Sequence, residues 1–228
     1  MTDDERRAIR ILRWSGGAAL VLTIVMLAIF PAAPVERNVP GFVSPVVGFE
    51  LASEPDHVFG ILGRPDDARR AEAVRRMDLG NTIDFAFMIA YSALYFGIVA
   101  LLRARGAVTG GFATFLSLLP VVMWLGDLLE NVQLLTLAGQ TDAGAMAAPL
   151  GRLRVFTTMK WHALFGTSLL VALPIWRQPS WWRWAGLILG AAGVVGFGSV
   201  AYLPSIETAG YLLGLAWLVT WIYALRAS

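Results

Sequence analysis

Residues 110–138 read GGFATFLSLLPVVMWLGDLLENVQLLTLA. Crossing the hydrocarbon of a bilayer takes about 20 apolar residues at 1.5 Å of rise each. This stretch is long enough, and only Asp127 and Glu130 in it are ionisable. Five further stretches share its character: Ile9–Phe30, Leu79–Leu102, Leu153–Trp176, Trp184–Tyr202 and Ala209–Leu225. The expected fold is all-α, a polytopic transmembrane bundle of about six spans. It forms a single integral membrane domain over residues 1–228, with a partly helical extramembrane segment between spans one and two.

Composition agrees. Hydrophobic residues make up 57% of the chain and charged residues 15%, against about 25% charged in soluble domains. Mean hydropathy is +0.64. A net charge of +2 is too small to point to nucleic acid. The absence of cysteine excludes disulfides and thiolate metal centres. With only two histidines, a zinc site is not expected, and no phosphate-binding loop, dinucleotide fingerprint or nucleophile elbow occurs. No metal or cofactor is therefore expected.

All but one of the 18 basic residues are arginine. The first span follows Arg6, Arg7, Arg10 and Arg13, as a signal peptide would. Its apolar run from Trp14 to Phe30 exceeds the 7–15 residues of a signal core, so it reads as an uncleaved helix. Arginines at 103, 105, 177, 183 and 226 share a side with that N-terminus, and short-loop arginines mark the cytoplasmic face. Both termini are expected inside. Trp176, Trp181, Trp182 and Trp184 read as an aromatic belt at the inner headgroup level.

Residues 31–78 are too polar to span and too long for a turn. Ser53-Glu54-Pro55-Asp56 resembles a capping box opening a short helix that stops at Gly63. Pro65-Asp66-Asp67 reads as the start of another, acidic at its beginning and ending at Arg75-Arg76. The many apolar residues between Phe42 and Leu62 predict a segment lying on the membrane or capping the bundle. It either stabilises helix ends or covers a site.

The spans carry Asp84, Asp127, Glu130 and Lys160 away from their ends. A charge at the bilayer centre costs at least about 2.5–3.5 kcal/mol on insertion scales, so such residues should face inward and find partners. Asp84 lies roughly 8 Å into span two and Lys160 roughly 10 Å into span four at helical rise, both entering from outside. Asp127 and Glu130 approach the outer end of span three, and with Asn131 they fall at i, i+3 and i+4 on one face. Gln133 lies off that face. One buried polar site of three carboxyls and one ammonium is expected, at least one carboxyl holding a proton. Glu50 or His57 of the outer segment could reach it, and Tyr91, two turns from Asp84, could line it. His162 reads as a packed or interfacial histidine and Glu207 as a solvated loop residue. Glycines 186, 190, 193, 196 and 198, with 210 and 214, permit close helix packing or a homo-oligomer.

The Phe49-Glu50-Leu51-Ala52 stretch and the Asp127-Leu128-Leu129-Glu130-Asn131 pattern, with a lysine on the next span, resemble a diffuse group of uncharacterised bacterial multi-pass membrane proteins. The resemblance covers spans two to four and the outer segment. It implies a bacterial cytoplasmic membrane and no particular activity. Ceramidase-like hydrolases are not matched, since they need a histidine-rich metal site.

Three functions fit the residues. The first is a membrane enzyme acting on a lipid or isoprenoid, with Asp84, Asp127 and Glu130 as acid and base. There Lys160 tunes a carboxyl or binds a headgroup, and Asn131, Glu50, Tyr91 and His57 contact the substrate. The second is a proton- or cation-coupled binding or transport protein. The third is a scaffold whose ion pairs only lock helices. The expected partners are the bilayer and a lipid or hydrophobic small molecule.

Overall fold

The computed structural model describes residues 1–227. Eight α-helices follow one another: α1 (Asp3–Ile29), α2 (Pro45–Glu50), α3 (Pro55–Leu62), α4 (Arg70–Ala104), α5 (Gly110–Ala138), α6 (Ala147–Trp176), α7 (Arg183–Phe197) and α8 (Ser205–Arg226). Short 3-10 turns precede α6 and follow α7, and no strand occurs among the described residues. Among the described residues, five helices are long and apolar enough to cross a membrane: α1, α4, α5, α7 with its 3-10 extension, and α8. α6 has the length, at 30 residues, but Lys160 and His162 in its middle lower its hydropathy.

The chain packs as two compact units. Unit one comprises Met1–Val21, Phe87–Trp124 and Trp161–Ser228, and unit two Leu22–Ala86 and Leu125–Lys160.

In unit one, α7 lies close against α6 because glycine leaves room for backbone contact. A Cβ on Gly186 would sit 2.6 Å from the Ala172 carbonyl oxygen, and one on Gly193 3.0 Å from that of Phe165. Lipid is as apolar as leucine, so such close packing, not apolar burial, holds membrane helices together. Gly210 and Gly214 of α8 meet nothing within 4 Å. Trp182 departs from the belt expected of it. It is fully buried, its ring stacked on Tyr223 at 5.0 Å and its indole N–H directed to Thr220. Trp176, Trp181 and Trp184 are exposed.

In unit two, residues 31–69 fold onto neighbouring helix ends. Ser44 caps α2, its hydroxyl accepting the Val47 N–H. Phe42, Phe49, Val58, Phe59, Ile61 and Leu62 bury against Met77, Leu134, Leu137 and Leu153. Full burial of such a side chain from water stabilises by about 1.5–3 kcal/mol. α3 begins at Pro55 and stops at Gly63, whose φ of 90° suits a residue without a Cβ. The expected capping box does not form, since no side chain caps α3; Ser53 instead turns to His57. Nor does a separate helix begin at Pro65. Residues 64–69 make turns, and α4 runs unbroken from Arg70 through Arg75 and Arg76 into the membrane stretch.

That continuity has a physical reason. Arg76 does not end a helix but donates to the carbonyls of Ala28, Ile29 and Phe30, at the C-terminal end of α1. Arg70 does the same for α5, donating to Ala138 at 3.1 Å and Gln140 at 2.6 Å, and also to Gly63 at 2.6 Å. In unit one, Arg13 serves α8 through Ala224 and Ala227. The last four carbonyls of a helix lack internal partners. A guanidinium presents five donors in a planar fork and carries the sign the helix dipole favours there.

Candidate functional site

Every member of the acidic site lies in unit two. The residue that makes it possible is Gly126. A Cβ there would sit 2.8 Å from the backbone nitrogen of Lys160, so α5 and α6 touch backbone to backbone. The next residue, Asp127, and Glu130 one turn later then face the Lys160 side chain.

Lys160 is the centre. Its Nζ lies 2.7 Å from Glu130 Oε1, 3.0 Å from Glu50 Oε2 and 3.4 Å from Asp127 Oδ1. An ammonium has three N–H donors, and here three carboxylates surround it. The residue is 6% exposed and Glu130 0%. Asp84 of α4 joins through Asn131, whose amide donates to Asp84 Oδ2 at 2.6 Å. The site thus contains four carboxyls rather than three. Fully ionised, they would leave a net charge of −3 around one lysine. Glu130 Oε2 is buried without a hydrogen-bond partner.

Glu50 arrives on the last turn of α2. Its backbone carbonyl accepts the Thr157 hydroxyl at 3.1 Å, which ties this end of α2 to α6. Thr157 and Lys160 are spaced i, i+3 and share a face. Sequence reasoning passed over both Gly126 and Thr157. The i, i+3 step to Lys160 was a readable sign for Thr157, and the glycine preceding Asp127 for Gly126.

Of the remaining candidates, His57 turns to Glu54, its Nε2 3.1 Å from the carboxylate, rather than toward Lys160. Tyr91 belongs to unit one, where its ring stacks on Trp217 at 5.8 Å and meets Phe87 edge-on at 5.3 Å. His162 packs edge-on against Phe197. Gln133, off the acidic face, accepts from Arg152 at 2.8 Å. Among the described residues, no group of three His, Asp or Glu side chains is disposed to hold a metal ion. In the acidic cluster the lysine ammonium occupies the position a cation would take.

No family model, no curated protein and no solved structure matches this chain.

Proposed function

We propose that this is an integral membrane protein of six spans whose buried cluster binds an exchangeable proton, in a proton-coupled binding or transport role. The observation that carries the proposal is the imbalance of four carboxyls around one ammonium. Locking two helices takes one carboxylate and one lysine. Here Glu50, Asp84 and Asp127 are added to Glu130 in a setting where uncompensated charge is expensive. A proton is the smallest ligand that relieves such an excess.

The reading as an enzyme acting on a lipid or isoprenoid uses the same residues. In that reading Lys160 tunes a carboxyl or binds an anionic headgroup; the second role would have to compete with Glu130, Glu50 and Asp127, whose oxygens lie 2.7, 3.0 and 3.4 Å from Nζ. The scaffold reading accounts for the Lys160–Glu130 pair but not for the other three acids.

In this proposal α6 is the sixth span, because Lys160 and Thr157 turn their polar atoms inward onto unit two instead of toward lipid. Both termini are cytoplasmic, by the arginines at 103, 105, 177, 183 and 226, in a membrane of the bacterial cytoplasmic type. Residues 31–78 lie on the opposite face, and the proton reaches the site past Glu50, the member supplied by that segment.

Potentiometric titration of the purified protein tests the proposal. Wild type should take up and release reversibly a proton that Glu130→Gln and Asp84→Asn variants do not. Superimposable curves for folded wild type and both variants would overturn it.

A further inference from the structure

A cavity of about 660 Å³ in unit one has a polar mouth and an apolar wall. Arg105, Arg177 and Gln178 form the mouth, and Phe112, Leu170 and Leu173 belong to the wall. We propose that it is a binding site for one anionic phospholipid, its phosphate held between the two arginines and an acyl chain lying along the wall. The inference is independent of the acidic cluster.

Arg105 is fixed before any ligand arrives. Its guanidinium donates to Tyr223 at 2.6 Å and to Glu5 at 3.1 Å. It also lies over the rings of Trp182 and Tyr223, at 5.9 and 5.7 Å from their centroids. Glu5 balances its charge. Arg177 is exposed and has no ion pair among the described residues, so the mouth keeps one uncompensated positive charge. A phosphodiester suits that arrangement, since guanidinium forks pair with phosphate oxygens.

The wall points to the rest of the ligand. Leu173 is 52% exposed and Phe112 43%, so the slot opens sideways through apolar side chains. A soluble anion would leave that wall unused. The surrounding aromatics mark headgroup depth. Arg183 lies 5.7 Å from the Trp176 ring and 5.3 Å from that of Trp184, and Arg226 lies 5.8 Å from Trp181. A zwitterionic lipid would bring its own cation to a mouth lined by two arginines and no carboxylate.

Native mass spectrometry of the detergent-purified chain tests this with phosphatidylglycerol and phosphatidylcholine of identical acyl chains. Phosphatidylglycerol should be retained preferentially. Arg177→Gln should lower its retention about fivefold, the worth of one arginine near a membrane surface. Arg226→Gln, a control at the same level, should not. Leu170→Trp, which fills the slot, should lower retention with the arginines intact. Equal retention of the two lipids would overturn the proposal. So would equal losses in Arg177→Gln and Arg226→Gln, which mean general surface attraction, or unchanged retention in Leu170→Trp.

Discussion

Gly126→Ala is the most informative single change in the interior of unit two. The added methyl would sit 2.8 Å from the Lys160 nitrogen and 3.1 Å from its Cα, whereas ordinary contact begins near 3.4 Å. Both obstacles are backbone and cannot rotate away. α5 and α6 must therefore separate by about 0.6 Å at this level, the difference between 3.4 and 2.8 Å. Overpacking of this kind costs about 1–3 kcal/mol. On the scaling of about 2–4 °C per kcal/mol for chains of this size, the midpoint of thermal unfolding should fall by about 2–12 °C. Gly214→Ala is the control: its Cβ meets nothing within 4 Å, and alanine is the better helix former by about 1 kcal/mol. Circular dichroism melts in one detergent would compare the three proteins. If Gly126→Ala melts with wild type or above it, the backbone contact that positions Lys160 against Glu130 is refuted.

Other expectations concern charge. Lys160→Met should destabilise by about 3–5 kcal/mol, the cost of leaving buried carboxylates without their cation, whereas Glu130→Gln should melt at or above wild type because Glu50 and Asp127 still hold Lys160; the same melts check both. Arg70→Lys should lose about 1–3 kcal/mol, since a single ammonium cannot reproduce the fork that joins Gly63, Ala138 and Gln140, and limited proteolysis should cut residues 31–69 faster in that variant. In the turn before α4, the Arg69 guanidinium, then its backbone N–H, holds the Asp67 carboxyl below the usual carboxylate range. Its contribution to stability is thus complete above the unfolded value of about 3.9 and is lost as pH falls through the lower folded one. Nuclear magnetic resonance titration should place the Asp67 midpoint below that of a free aspartate, and Arg69→Gln should raise it.

The parts of this fold legible in the sequence were those set by one helix at a time. α5 begins and ends where the apolar run does, at Gly110 and Ala138. The i, i+3, i+4 spacing puts Asp127, Glu130 and Asn131 on one face without reference to any neighbour. What pairs with that face depends on approach distances that no single helix encodes. Nothing in the local pattern separates Glu50 from His57, yet only Glu50 lies on the turn of α2 that Thr157 ties to α6. Arg75-Arg76 has the composition of a helix end, and α4 passes through it because Arg76 serves the carbonyls of another helix. Trp182 looks like its three neighbouring tryptophans, but Tyr223 and Thr220, some 40 residues away in sequence, bury it. Lys160 and His162 give α6 the hydropathy of a doubtful span, although the lysine finds its charges inside the protein.

Infrared difference spectroscopy of the protein in lipid tests the central claim, that the cluster around Lys160 holds a proton. At neutral pH the account predicts a carboxylic-acid C=O band from a buried, protonated side chain. That band should be lost or shifted in Glu130→Gln or Asp84→Asn and unaffected by Glu207→Gln. A spectrum without such a band would mean that all four carboxyls are ionised, and a band unchanged by Glu130→Gln, Asp84→Asn, Glu50→Gln and Asp127→Asn would come from outside the cluster; either result would contradict the account.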